Sequence, residues 1–391
     1  MEQLYEIYRS LLASTPTDFV RYMHKTIDWQ SRLILIMGAR GVGKTTMILQ
    51  HIKMHGNKDT SLYIDANNNY FAVNSLYDVA STFNKNGGKV IYIDEVHKYD
   101  GWSREVKMMY DYMPDLQIII TGSSMLDLRK GADADLSRRA ITYTMSGMSF
   151  REYLNFTMNL NLPIYSVEDI VAGKVELPQE IVHPLPLFKE FLQKGYYPFF
   201  KTDNYLVRLN NVIEQTLEVD IPKYAGMNTS TVVKLKKLLY IISRSVPFKP
   251  NFTEIGRAIE TDRNTVADYF VYMEKSGLIR QLRIADDGMK LLEKVDKVYL
   301  ANTNLIYAQA DNGSNIGNIR ETVFFSQMTV NNIVASAPAG DFKIGKYTFE
   351  VGGKSKTQKQ IKEITNSYVV KDDIEYGGLK TIPLWMFGFN Y

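Results

Sequence analysis

Residues 33–45 read LILIMGARGVGKT, and this stretch decides the fold of the first part of the chain. Its first five residues are a continuous apolar run, which is typical of a parallel strand buried on both faces. Residues 38–45 match G-x-x-x-x-G-K-[ST] without a mismatch, and a helical stretch follows from Lys44 to about Met54. In this strand–loop–helix order, backbone N–H groups and the positive end of the helix can surround phosphates.

We predict a specific task for each residue type in this loop. The glycines let the loop turn back on itself, Lys44 reaches the β- and γ-phosphates, and the Thr45 hydroxyl binds magnesium. The alternative is a glycine-rich turn that matches by chance, which the flanking strand and helix disfavour. The predicted nucleotide-binding residues are Gly38, Ala39, Arg40, Gly41, Val42, Gly43, Lys44, Thr45 and Thr46.

A second motif, VIYIDEVHK at 90–98, ends an apolar strand in two acids. Ligands bind at the carboxyl ends of strands in open α/β sheets, so we predict that Asp94 holds the magnesium ion through water. The adjacent Glu95 is predicted to orient and deprotonate the water that attacks the γ-phosphate. The alternative for Glu95 is a solvated charge at a strand end.

Two further segments carry candidate catalytic groups. The strand QIIIT at 117–121 is followed by GSS, and either Thr121 or Ser123 would contact the γ-phosphate or the attacking water. We take Ser123 in preference, although simple strand termination by Gly and Ser is the alternative. In DLSRRAITYTM (135–145), Arg138 or Arg139 would act as an arginine finger on the nucleotide of a neighbouring subunit, unless the pair is a surface feature.

The order of elements predicts an α/β fold. Apolar strands at 33–37, 61–65, 90–94 and 117–121 alternate with helical patterns, which indicates a parallel sheet wrapped by helices. The 391 residues predict two or three domains. The chain has no cysteine and no signal peptide or membrane-spanning run is visible, so a cytoplasmic location is expected. The net charge of +3 disfavours a strongly electrostatic nucleic-acid binder but leaves room for a local basic patch.

The segments GARGVGKTT, IYIDEVH, IIITGSS, SRRA and MSFREYL together resemble a bacterial and archaeal group of AAA-type ATPases. The C-terminal part of that group is described as a domain of unknown function. The resemblance implies an AAA-like P-loop core, a winged-helix unit, and a tail similar to restriction-endonuclease-like folds. On this basis we divide the chain into an ATPase domain (1–148), a helical connector (149–227), a winged-helix domain (228–300) and a small α+β domain (301–391).

The middle of the chain has its own helix and strand pattern. Residues 253–283 indicate a helix, a turn, a second helix ending at Gly277, and a strand, with Thr253 and Thr261 as predicted N-caps. This is a helix-turn-helix with a wing. The side chains of 263–265 could contact DNA phosphates or bases, but such units also serve as packing or protein-interaction modules.

The C-terminal part holds acids in the order of a metal-dependent nuclease site. They are Glu321, Asp341 and Glu350, but the lysine expected two places after Glu350 is Gly352. Lys354 follows two residues later, on the same face of an extended strand, and its side chain would have to reach back about 7 Å. We therefore predict a degenerate nuclease fold without cleavage activity.

Together these expectations describe an ATPase that uses ATP and Mg²⁺ and yields ADP and phosphate. Its cycle would switch contacts with protein partners or within a homo-oligomer. The alternative is a nucleic-acid-directed ATPase that binds DNA through the winged helix, and through the C-terminal domain as well. Adenine contacts are suggested only by position, near Asp28 to Ser31.

Overall fold

The computed structural model describes residues 1–122, 136, 138–245, 247–284, 294–309 and 316–391. These residues divide into two compact units, Met1–Gly147 and Met148–Tyr391. In the ranges just given, every helix is too short or too polar to cross a bilayer.

The first unit is built on a five-stranded sheet in which all neighbouring strands are parallel. The predicted parallel sheet is confirmed, but the sequence did not predict its fifth strand. That strand, ITYTM, is an edge strand with mostly exposed residues, so it lacks a continuous apolar run. The strands are β1 (Leu33–Gly38), β2 (Ser61–Asp65), β3 (Val90–Asp94), β4 (Gln117–Gly122) and β5 (Ile141–Met145). Their order in the sheet is β2-β3-β4-β1-β5.

Helices cover this sheet because their apolar residues recur at helical spacing. In the third helix, Leu76, Val79, Ala80 and Phe83 are all buried, and the Ser75 hydroxyl accepts a hydrogen bond from Asp78 N at its start. The helices of the unit are α1 (Glu2–Ser14), α2 (Lys44–His55), α3 (Leu76–Lys85) and α4 (Trp102–Tyr112), with short 3₁₀ turns at Tyr22–Lys25, Asn69–Ala72 and Val96–Lys98.

The parallel sheet has two chemically different edges. The carboxyl ends of β1, β3 and β4 meet at one edge, and there lie the 38–45 loop, Asp94 and Thr121. The residues that precede β1 and β5 lie at the opposite edge. A residue that directly precedes one of these strands is therefore separated from the 38–45 loop by the full length of the strand.

The second unit begins with short helices. Ser149 and Glu152 form a reciprocal capping box at the start of the first one, which fixes where the helix begins. These helices are α5 (Phe150–Met158), α6 (Val167–Val171), α7 (Pro184–Glu190), α8 (Tyr205–Gln215), α9 (Ile221–Ala225) and α10 (Thr229–Ser245), with π-helical turns at Phe191–Gly195 and Thr216–Asp220.

Two helices and a β-hairpin follow, namely α11 (Phe252–Ala258), α12 (Arg263–Lys275), β6 (Ile279–Arg283) and β7 (Val295–Leu300). The predicted N-caps Thr253 and Thr261 are wrong. Asn251 caps α11 and Asp262 caps α12, because each side-chain oxygen accepts hydrogen bonds from two backbone N–H groups of the first turn.

The C-terminal part contains a second five-stranded sheet with the order β12-β11-β10-β9-β8. Strands β8, β9 and β10 are antiparallel to one another, whereas β10, β11 and β12 are parallel. Phe324, from the last helix, packs on Phe342 and Phe349 of one face. The elements are α13 (Thr303–Gln309), α14 (Ile316–Met328), β8 (Val334–Ser336), β9 (Phe342–Ile344), β10 (Tyr347–Gly352), β11 (Ser367–Lys371) and β12 (Thr381–Pro383), followed by a 3₁₀ segment, Leu384–Phe389.

Candidate functional site

The 38–45 loop is shaped by three glycines with two different functions. Gly41 and Gly43 have φ angles of +83° and +99°, a region that side-chain-bearing residues rarely adopt. Gly38 instead is needed for close packing, because a Cβ atom there would meet the carbonyl oxygen of Met145 on β5. The loop residues between them are half-buried, except Val42, which is buried, and Thr46 on the first turn of α2 is exposed.

Lys44 is buried inside the loop, with only 4% of its surface exposed. Its Nζ donates hydrogen bonds of 3.0 Å to the carbonyl oxygens of Gly38 and Ala39. Both of these carbonyl partners are neutral acceptors, for which a phosphate oxygen could substitute.

Asp94 is the centre of the site. It is 2% exposed, and one of its oxygens accepts hydrogen bonds from Thr45 Oγ1 at 2.6 Å and from the Tyr63 hydroxyl at 2.9 Å. The other oxygen accepts from Thr121 Oγ1. One carboxylate thus joins β3 to α2, β2 and β4. Burial, and then the Asp94 carboxylate, raise the pKa of Tyr63, so its hydroxyl remains a donor.

A second carboxylate, Asp65, lies at the same sheet edge because β2 and β3 are paired with Asp65 opposite Asp94. Burial is the main cause that raises its pKa, and Asp94 adds to the shift. The sequence analysis missed both Tyr63 and Asp65. A signal was present, since 63–65 and 92–94 both read YID, and in-register parallel strands place identical positions side by side.

Glu95 follows Asp94 in a left-handed conformation, with φ +50° and ψ +36°. Such a conformation costs a glutamate about 1–3 kcal/mol and persists only when its surroundings enforce it. Here Thr121 Oγ1 accepts the Glu95 N–H at 3.3 Å, and His97 Nε2 lies 3.8 Å from the carboxylate. The backbone therefore turns at the residue that we predicted to be the base.

The remaining candidate catalytic residues are Thr121, Ser123, Arg138 and Arg139. The Thr121 hydroxyl links Asp94 to the backbone of Glu95, while Ser123 lies outside the described residues. The two arginines precede β5, at the sheet edge opposite the 38–45 loop. Arg139 forms a two-point ion pair with Asp111 at 3.0 and 3.2 Å, whereas Arg138 is exposed.

Arg21, which was not predicted from the sequence, binds the 38–45 loop from the segment between α1 and β1. It is 4% exposed, and its guanidinium donates to the Val42 carbonyl inside the loop and, at 2.8 and 2.9 Å, to the carbonyls of Ser146 and Gly147 after β5. No sequence motif marks this arginine. Asp28 to Ser31, suggested for the adenine by position, instead precede β1, where Gln117 binds the carbonyl of Ser31 at the opposite edge.

The nuclease-like acids of the C-terminal part are only partly placed as the sequence suggested. Glu321 and Asp341 lie close enough to share the ammonium group of Lys297, at 3.1 Å each. Glu350 is paired with Lys356 and not with Lys354, which is exposed. The irregular chain after Gly352 and Gly353 brings Lys356 back over the strand.

Comparison with known proteins agrees with this geometry for the first unit. Residues 30–154 match the family described as AAA domain, and residues 186–315 match a domain of unknown function. An uncharacterised protein of Methanocaldococcus jannaschii is 25% identical in an alignment that covers 76% of this chain and 70% of that protein.

Solved structures with some similarity include a Walker-type ATPase of Pyrococcus abyssi, with 14% identity, a TM-score of 0.43, and coverage of 71% of this chain and 91% of that one. The ADP form of the ORC2 protein of Aeropyrum pernix has 11% identity, a TM-score of 0.29, and coverage of 72% and 85%. The AAA-domain match, together with the P-loop on its five-stranded parallel sheet, supports an ATP-binding ATPase of the AAA type.

Proposed function

We propose that this chain binds ATP with Mg²⁺ at the 38–46 loop and hydrolyses it, and that the cycle switches its contacts with protein partners or with copies of itself. The observation that carries this proposal is the Asp94 centre, where the loop threonine, a tyrosine of β2 and a threonine of β4 converge on one carboxylate beside Glu95. A protein that only bound nucleotide would gain little from a strained glutamate at this position.

The oxygen donors at this centre fit a magnesium ion. Thr45 Oγ1 and Asp94 Oδ2 are 2.6 Å apart, and Mg²⁺ prefers hydroxyl, carboxylate and water oxygens. Thr45 would bind the ion directly and Asp94 through water. When bound, the ion neutralises phosphate charge and polarises the γ-phosphoryl group.

The protein groups then have separate roles in hydrolysis. Lys44 exchanges its two carbonyl partners for phosphate oxygens and stabilises the charge that develops on them. Glu95 orients a water molecule and accepts its proton while the water oxygen bonds to the γ-phosphorus. The bond from that phosphorus to the bridging oxygen breaks, and ADP leaves with the electron pair.

Substitution of Glu95 separates binding from chemistry. We expect Glu95→Gln to retain ATP binding and to lower kcat by about 100-fold or more, because an amide cannot accept the proton. Lys44→Ala should lose binding or turnover. Nucleotide binding by calorimetry and phosphate release measure the two effects, with the exposed Glu6→Gln as the control. Normal hydrolysis by Glu95→Gln would refute the role of this residue.

Arg21 is expected to support nucleotide binding without contacting the nucleotide. Arg21→Ala removes the charged donor from the Val42 carbonyl and frees the loop to take other conformations, so ATP should bind about tenfold more weakly. The control is Arg9→Ala, an exposed arginine of α1. Equal ATP affinities for Arg21→Ala and Arg9→Ala would show that the loop holds its shape alone.

Arg138 is the better candidate for an arginine finger in a homo-oligomer. It is exposed at the edge of the sheet that lies away from its own loop, so it would act on the nucleotide of a neighbouring copy. Arg139 is already bound to Asp111, and its loss would remove an internal contact. We keep the proposed domains 1–148, 149–227, 228–300 and 301–391 as the parts that such an assembly would move.

Mixing two inactive variants tests action between subunits. Arg138→Ala keeps an intact loop but lacks the finger, and we expect its ATPase rate to fall about 1,000-fold. Glu95→Gln lacks the base but keeps the finger, so mixed assemblies should regain activity that neither variant shows alone. Arg104→Ala, an exposed arginine of α4, is the control. Full activity of isolated Arg138→Ala, or no gain on mixing, would contradict the proposal.

A nucleic-acid-directed ATPase is the second candidate, and one observation favours it. Residues 343–362 contain six lysines and one acid, in a chain whose total net charge is +3. Lys356 is paired with Glu350, but the other five are exposed, and none of them forms an ion pair with any residue that the structure describes. We call these five the lysine strip: Lys343, Lys346, Lys354, Lys359 and Lys362.

The lysine strip is a better nucleic-acid surface than the proposed winged helix. Arg263 and Asn264 are exposed at the start of α12, but the Asp262 carboxylate already accepts the backbone N–H groups of Asn264 and Thr265 there. Hydrogen bonds from Thr265 lower the pKa of Asp262, so its negative charge would oppose a phosphate at that helix end.

Salt dependence and charge reversal test this second candidate. If the five lysines each meet a phosphate, the affinity for a labelled DNA duplex should fall with salt at a log–log slope of about −4.5. Glu at 354, 359 and 362 should abolish binding, whereas Glu at the exposed Lys58, Lys85 and Lys89 should not. Equal loss in both triple variants, or equal binding to anionic vesicles, would exclude a nucleic-acid surface here.

A further inference from the structure

A buried acid cluster in the C-terminal part brings together three elements. Glu321 projects from α14, Asp341 directly precedes β9, and Glu350 lies on β10. Their side chains are 18%, 14% and 2% exposed. Carboxylates this poorly hydrated need positive charge or hydrogen-bond donors close by.

Lys297 of β7 supplies that charge to two of the acids at once. Its Nζ lies 3.1 Å from Glu321 Oε2 and 3.1 Å from Asp341 Oδ1. Burial alone would lower the pKa of this lysine, but the two carboxylates outweigh burial and raise the pKa, so the group is an ammonium ion. Tyr299, two residues along the same strand, donates to the same Glu321 oxygen at 2.7 Å.

Asp341 and Glu350 have further donors from the protein. Asp341 Oδ2 accepts the backbone N–H of Val351 at 2.9 Å, and Lys356 pairs with Glu350. Each of the three carboxylates therefore has a donor from this chain. In the described parts of the chain, no three acids or histidines are arranged to hold a metal ion.

We propose that the Lys297 ammonium group takes the place of a divalent cation in this cluster. The fold family suggested by the sequence would bind a metal between acids in this order, and here a strand of the β6–β7 hairpin inserts a built-in cation instead. The Lys297 side chain blocks metal binding. Its two ion pairs also link β7 to α14 and to the start of β9. This inference concerns the C-terminal part and does not depend on ATP hydrolysis.

Removal of the ammonium group should convert the cluster into a metal site. In full-length Lys297→Ala, Glu321 and Asp341 would repel each other, and the thermal midpoint should fall by about 5 °C or more. Millimolar Mn²⁺ should recover at least half of this loss.

Two comparisons make the test specific. Lys249→Ala removes a lysine that pairs with Asp296 at 3.7 Å near the same hairpin, and it should gain no response to Mn²⁺. Adding Glu321→Gln to Lys297→Ala should abolish the recovery. No recovery by Mn²⁺ in Lys297→Ala, or recovery that survives Glu321→Gln, would overturn the proposal.

The wild-type chain gives an answer even if Lys297→Ala does not fold. Mn²⁺ titration by electron paramagnetic resonance, without nucleotide, should give the same binding curve for wild type and for Glu321→Gln, because the ammonium group excludes the metal. A binding step present in wild type and missing in Glu321→Gln would show that the metal enters beside Lys297, and the proposal would fail.

Discussion

The Asp94 carboxylate holds the first unit together at the edge where its phosphate loop lies. Hydroxyl groups from α2, β2 and β4 all donate to this carboxylate, which is 2% exposed. The same bonds fix the ends of the strands and the first turn of the loop helix. They also leave Glu95 at the point where β3 stops, in a conformation that the Thr121 hydroxyl enforces. One side chain therefore links the ends of these strands to the loop and to the proposed catalytic glutamate.

Two lysines, the buried Lys44 and the half-buried Lys297, show how the charge of the partner groups decides what a lysine does. Lys44 donates to two neutral carbonyl oxygens, so a phosphate can compete for it. Lys297 donates to two carboxylates in a poorly hydrated cluster, so a competing ligand would have to displace two ion pairs. Lys297 is therefore part of the fold. The exposed lysines of 343–362 are a third case, without any acid in the described chain to neutralise them.

Several features of the site could be predicted from sequence because they are local. The 38–45 loop and the Asp94–Glu95 pair are contiguous, and their flanking apolar runs indicate buried strands. β5 was missed because an exposed edge strand carries no apolar run. Ideal strand spacing placed no lysine beside Glu350 and left Lys354 about 7 Å along the strand, whereas the chain after the glycines at 352 and 353 brings Lys356 into place. The caps of α11 and α12 were each misplaced by one or two residues.

The sequence by itself determined the phosphate loop, the order of four parallel strands along the chain and the two acids at the end of β3, since each follows from neighbouring residues and their periodicity. Only the tertiary structure decided that Arg21 donates a hydrogen bond to the loop and that Tyr63 and Asp65 lie beside Asp94. The same holds for Lys297, which lies between Glu321 and Asp341. These contacts join residues that are 21 to 44 positions apart. Pattern and propensity act over a few residues, while strand pairing and the need to neutralise buried charge act across the whole fold.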